Sequence, residues 1–87
     1  MIIGFDRTFE KKFAKLPEKV REQFKKRKDL FIDEPNHPLL NNHPLHEPYA
    51  GCRSINVTGD YRAIFYNVND ALVRFINIGT HHELFGT

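Results

Sequence analysis

Residues 51–85, GCRSINVTGDYRAIFYNVNDALVRFINIGTHHELF, constrain the fold more tightly than any other part of the sequence. Val57, Ile64, Phe65, Val68, Leu72, Val73, Phe75, Ile76 and Ile78 are apolar and mostly β-branched or aromatic, the side chains that suit a pleated, half-buried surface. Thr58-Gly59-Asp60 and Asn67-Val68-Asn69-Asp70 interrupt them with turn chemistry. The pattern predicts three consecutive strands and a short terminal turn. Arg53, Asp60, Arg62, Arg74, His81 and His82 punctuate the stretch, as surface decoration or as a site.

The preceding residues predict what covers that sheet. Ile2-Ile3-Gly4-Phe5 reads as a strand that joins it. Phe5, Phe9, Phe13 and Leu16 then recur at helical spacing, with Lys11, Lys12 and Lys15 on the other side and Asp6 or Thr8 placed to cap. Pro17 suits the first residue of a second helix, which carries Val20, Phe24 and Phe31 on one face and Lys25-Lys26-Arg27-Lys28 outside. Glu34-Pro35 ends it, because a residue before proline disfavours helical angles. Residues 35–50 hold four of the five prolines and three of the five histidines, a restrained loop with one helical turn. Leu39, Leu40, Leu45 and Tyr49 can pin it to the rest. The order is α+β, with two helices covering one face of a sheet.

At 87 residues the chain has room for one core, so residues 1–87 are expected to form a single domain. No apolar run approaches the roughly 20 residues of a membrane helix, and the N-terminus does not read as a signal peptide. One cysteine, Cys52, excludes an internal disulfide and fits a reducing cytoplasm, where it reads as a small core residue. The net charge is only +2, but residues 1–34 hold ten of the thirteen basic residues, including every lysine. The other three are arginines placed singly among the strands. A general polyelectrolyte binder would spread its basic charge more widely. The lysine-rich run is a solvated helix face or a contact for RNA phosphate or an acidic partner.

Five histidines raise the possibility of a metal site, but there is no second cysteine and no HExxH. Adjacent His81 and His82 on an extended segment would point in opposite directions. The sequence has no phosphate-binding glycine loop, nucleophile elbow or carboxylate pair, and no metal or cofactor is expected. What remains is His43, Arg53, Arg62, Arg74 and His81, with Asp60 as the acid among them. Such a set suits phosphodiester chemistry without metal. Arginine forks grip a phosphate and offset charge growing on it. Histidine, titrating near ~6.5, can move a proton to a leaving 5′-oxygen or from a 2′-hydroxyl. Tyr61 and Phe85 can stack on splayed bases, or can belong to the core.

GCRSINVTGDYRAIFYNV followed by VRFINIGTHHELFG, with NHPL and two basic helices before it, resembles the RelE/ParE superfamily of bacterial toxins. The likeness is to its RelE/StbE and YafQ-like mRNA interferase branch and covers essentially the whole chain. It implies a short strand and two helices ahead of a twisted antiparallel sheet, closed by a C-terminal turn or helix. It also implies a toxin of a type II toxin–antitoxin system, a ribosome-dependent endoribonuclease of the cytoplasm. Its partners would be a cognate antitoxin, mRNA on the ribosome and ribosomal RNA, the last through Lys11, Lys12, Lys15, Lys25, Lys26, Arg27 and Lys28.

Carried over residue by residue, the HPL motif makes His43 an active-site candidate, and the acidic-aromatic pair falls on Asp60-Tyr61, with Arg62 after it. The Gly-Thr-His-x-x-Leu-Phe ending makes His81 the general acid and Phe85 the aromatic that holds a base. Arg53, Asn56, Tyr61, Arg74 and Phe85 are expected to bind substrate. Where YafQ-like members place a histidine near the end of the preceding strand, this chain has Asn56, which cannot take a proton. The base role is therefore expected of Asp60, with His43 assisting. A ParE-like gyrase inhibitor and a catalytically inactive, antitoxin-binding relative are the alternatives. The histidine cluster at the tail argues against the first, and Asn56 keeps the second open.

Overall fold

The structure, a computed structural model, describes residues 1–86; Thr87, the last residue of the expected domain, lies outside the described residues. Strand β1 (Ile2–Phe5) leads into helix α1 (Arg7–Ala14) and helix α2 (Glu18–Asp33). A 3-10 turn (Pro38–Leu40) and the two-residue strand β2 (His43–Pro44) follow, then β3 (Arg53–Asn56), β4 (Tyr61–Asn67), β5 (Leu72–Thr80) and helix α3 (His81–Phe85). The five strands form one sheet in the order β1-β5-β4-β3-β2. From β2 to β5 it is antiparallel as expected, whereas β1 pairs parallel to β5, making the sheet mixed. A parallel pair needs a long crossover, and α1 and α2 fall within the chain that supplies it.

The three strands expected in residues 51–85 are β3, β4 and β5. Asp6 caps α1, its carboxylate accepting from the Arg7 amide, as its position suggested. Pro17 is the residue before α2 rather than its first, extended at φ −54 and ψ 145. Its carbonyl opens the helix by accepting from Val20 and Arg21. Strand β2 was not expected, because a proline-containing pair carries no strand signal of its own.

Residue parity sorts the sheet into two faces. Ile55, Ala63 and Ile78 lie in register across β3, β4 and β5 and face the helices. There Phe75 has the rings of Phe5, Phe9, Phe24, Phe31 and Phe65 within 5.4–6.0 Å. On the opposite face His43 sits across from Ser54, Ser54 from Ile64, and Asn56 from Arg62, which in turn faces Gly79. The loop after β2 folds over this second face. Its Tyr49 hydroxyl accepts from the Asn77 side-chain amide at 3.1 Å, so Tyr49 pins the loop as expected. Leu40 is fully buried and does the same from the helical turn, but the Leu39 residue is 57 % exposed and its side chain pins nothing.

Candidate active site

The loop, the second face of the sheet and α3 enclose an open cleft of about 410 Å³. His43, His46, Ser54, Arg62, His81 and Phe85 are among its walls.

His43 lies on edge strand β2, and its Nδ1 is 2.7 Å from the carbonyl oxygen of Asn41. A carbonyl can only accept, so Nδ1 carries the hydrogen, and in the neutral ring Nε2 presents a lone pair. Asn41 is in the left-handed region at φ 45, which asparagine tolerates better than most residues. Arg62 is half-buried, and its Nη1 donates to the carbonyls of Thr58 (3.0 Å), Gly59 (3.1 Å) and Tyr61 (3.1 Å). The β3–β4 turn thus holds the guanidinium in place before any anion arrives. The Thr58 hydroxyl in turn accepts from the amides of Asp60 and Tyr61.

Helix α3 starts where β5 leaves the sheet. The His81 amide donates to the Asp60 carbonyl at 3.0 Å. A capping box closes the first turn: Thr80 Oγ1 accepts from the Glu83 amide (3.1 Å) and Glu83 Oε1 from the Thr80 amide (2.8 Å). The hydrogen bonds from the Thr80 backbone and side chain hold the Glu83 carboxyl below its usual range. His81 and Phe85, four residues apart, share one face of α3, with rings 4.9 Å apart. Phe85 also meets the ring of Tyr49 edge-on at 6.0 Å. The aromatic floor near His81 therefore comes from both α3 and the loop.

Several residues grouped by the sequence reading are not brought together. Arg53 faces the helix side, where its Nε donates to Asn42 Oδ1 at 2.8 Å and it borders Phe31 and Phe65. Tyr61 also turns to the helix side and packs beside Leu16 and Pro17, because it is adjacent in a strand to Arg62. Arg74 lies near β1 and pairs with Asp6 at 3.5 Å. The Asp60 side chain is exposed at the turn and does not line the cleft; only its carbonyl reaches α3. Asn56 does not line the cleft, and its Oδ1 is buried and unpaired among the described residues. Arg27 gives Nη1 to the Leu39 carbonyl at 2.9 Å, so it ties the loop to α2 rather than standing clear with the lysines.

One site residue was not singled out by the sequence, and the direction of another, His46, was left open. Ser54 is 1 % exposed and lies directly across from His43; standing two residues before Asn56, it shares a face with it, which strand alternation alone would have given. His46 lines the cleft while His82 does not, a distinction set by the fold of the loop and of α3. Cys52 is partly buried, and burial pushes its thiol up, away from nucleophilic chemistry. Among the described residues no three His, Cys, Asp or Glu side chains converge as a metal site would require. Nor, among the described residues, is any helix long and apolar enough to cross a membrane.

No protein-family model matches this sequence, and no curated protein does. Solved structures do. The crystal structure of YafQ from Escherichia coli strain BL21(DE3) is 30 % identical, with 97 % of each chain covered and a TM-score of 0.77. A chain of the E. coli DinJ–YafQ complex is 31 % identical over 97 % of both chains, with a TM-score of 0.76. A chain of the intact E. coli RelBE toxin–antitoxin complex is 26 % identical over 91 % of this chain and 94 % of that one, with a TM-score of 0.66. With that identity maintained over nearly its whole length and the same small α+β fold, the chain belongs to the RelE/ParE superfamily of type II toxins, in its YafQ-like branch.

Proposed function

We propose that the protein is an endoribonuclease toxin that cuts mRNA on the ribosome by attack of an RNA 2′-hydroxyl on the adjacent phosphate. The observation that carries this reading is the meeting of His43, Arg62 and His81 on one open cleft, with the His43 tautomer set by the Asn41 carbonyl. His43 Nε2 takes the proton of the 2′-hydroxyl. The freed oxygen attacks phosphorus, and Arg62 offsets the charge that grows on the phosphoryl oxygens. His81 gives a proton to the departing 5′-oxygen, leaving a 2′,3′-cyclic phosphate and a 5′-hydroxyl. The base is thus His43 rather than Asp60, whose carboxylate stands outside the cleft. Asp60 serves through its carbonyl, at the start of α3.

An open cleft with few groups gains most from a substrate that arrives already oriented, which is what a ribosome holding mRNA would supply. Lys11 and Lys12 on α1, Lys15 at its C-cap, and Lys25, Lys26 and Lys28 on α2 are the candidate contacts to ribosomal RNA. Phe85, beside His81, is placed to stack on a base. An antitoxin is the expected protein partner, as DinJ is in the complex with YafQ.

Primer extension on a defined mRNA in a purified translation system tests the reading, with and without ribosomes. Cuts should require ribosomes, and His81→Ala and His43→Ala should each slow them by about 10²–10⁴. A wild-type protein that arrests growth without cutting RNA would point instead to the gyrase-type or inactive alternative.

A further inference from the structure

Ser54 is buried on the cleft side of β3, yet its Oγ has no hydrogen-bond partner among the described residues. A native fold rarely leaves a buried hydroxyl unpaired, because the group has given up water for nothing. The fold itself does not explain this one. Its neighbours do: His43 is directly across on β2, Arg62 is diagonal to it on β4, and both border the same cleft. Arg62 and three nearby histidine rings favour an anion there, against a single exposed carboxylate, Glu47, at the rim.

We propose that Ser54 Oγ is a phosphoryl-oxygen donor at the floor of the cleft. Its hydroxyl donates to a non-bridging oxygen of the RNA phosphate that Arg62 neutralises. The substrate class rests on the RNA-cleaving reading above; the anion subsite itself does not. No bond is made or broken at Ser54. Its hydrogen bond strengthens as negative charge moves onto the non-bridging oxygens, so it acts with Arg62 on the transition state.

Ser54→Ala separates a functional hydroxyl from a structural one. Removing a hydroxyl that serves only the substrate should leave the thermal midpoint unchanged or raised. Ribosome-dependent cleavage should fall by about tenfold to a hundredfold, in the range of a lost transition-state donor. An mRNA carrying sulfur in place of one non-bridging oxygen at the cut site gives the atomic assignment. One of the two thio diastereomers should slow the wild type but slow Ser54→Ala no further. A drop of several degrees in midpoint, equal cleavage by the two proteins, or equal sensitivity of both to both diastereomers would overturn the proposal. If the wild type cuts no RNA, the enzymatic reading fails, and titration with inorganic phosphate followed by NMR still decides the subsite. Phosphate should shift the Ser54 amide and bind the alanine variant several-fold more weakly; identical affinities would overturn the assignment.

Discussion

Arg53 and Arg62 show how much a single residue's parity decides. Directly opposed across β3 and β4 are Asn56 and Arg62, so Arg53, three residues before Asn56, must face the other way. One arginine is a clamp on Asn42 and the other borders the cleft. Arg53→Ala should therefore cost about 1–2 kcal/mol of stability through the lost charged hydrogen bond, measured by urea unfolding. Lysine should not restore it, since it lacks the planar fork. Ribosome-dependent cleavage by the folded fraction should change little. For Cys52 the partial burial and raised pKa make alkylation at neutral pH slower than that of a small free thiol, as a timed iodoacetamide reaction would record. The sequence carried the identities of His43, Arg62, His81 and Phe85 as candidates, through residue chemistry and motif. It did not carry the split between Tyr61 and Arg62, although adjacent strand residues necessarily diverge. Nor did it show Asp60 leaving the cleft, because a turn residue's direction depends on how Thr58 closes that turn.

Helix α3 is the element on which the acid of the proposed reaction depends, and its five residues cannot hold a helix by propensity alone. The capping box and buried Leu84 hold it instead. Thr80→Ala removes one capping acceptor, typically worth about 1 kcal/mol. Because α3 is only five residues long and buries Leu84 alone, the loss should appear as faster amide exchange at 83–86 and slower RNA cleavage, with little movement of the global unfolding midpoint. The Glu83 carboxyl lies below its usual range, so its stabilisation is fully present above the ordinary carboxylate value and fades as pH falls through the lowered one. Amide exchange rates in α3, corrected for intrinsic pH dependence, should hold steady from neutral pH to pH 5 and then rise in stronger acid. Glu83→Gln should remove that acid step. At this scale the strands and helices were legible from periodicity and turn residues. Strand β2 was not, since two residues carry no period, and neither was the parallel seating of β1, which only the crossover reveals.

For the molecule as a whole, stability concentrates on one aromatic cluster. Phe75 touches five other phenylalanine rings from β1, both N-terminal helices and β4, so it joins every layer. Phe75→Ala should cost about 3–5 kcal/mol. Against a domain stability of roughly 5–15 kcal/mol, that is enough to leave much of the protein unfolded at 37 °C by circular dichroism. Phe75→Leu should fold with a smaller loss. The cluster also bears on how the chain is made. Strand β1 has its partner in β5, and the helices that follow β1 pack on rings supplied by β4 and β5. During synthesis the first half of the chain therefore emerges before the rings that finish its cover: Phe65 of β4 becomes available to Phe31 first, and β5 then brings Phe75 and the partner of β1. His81 follows directly after β5. Until β5 and α3 have emerged the nascent chain can complete neither its sheet nor its cleft, so the interval in which a partner could capture it before it becomes competent is set by translation itself.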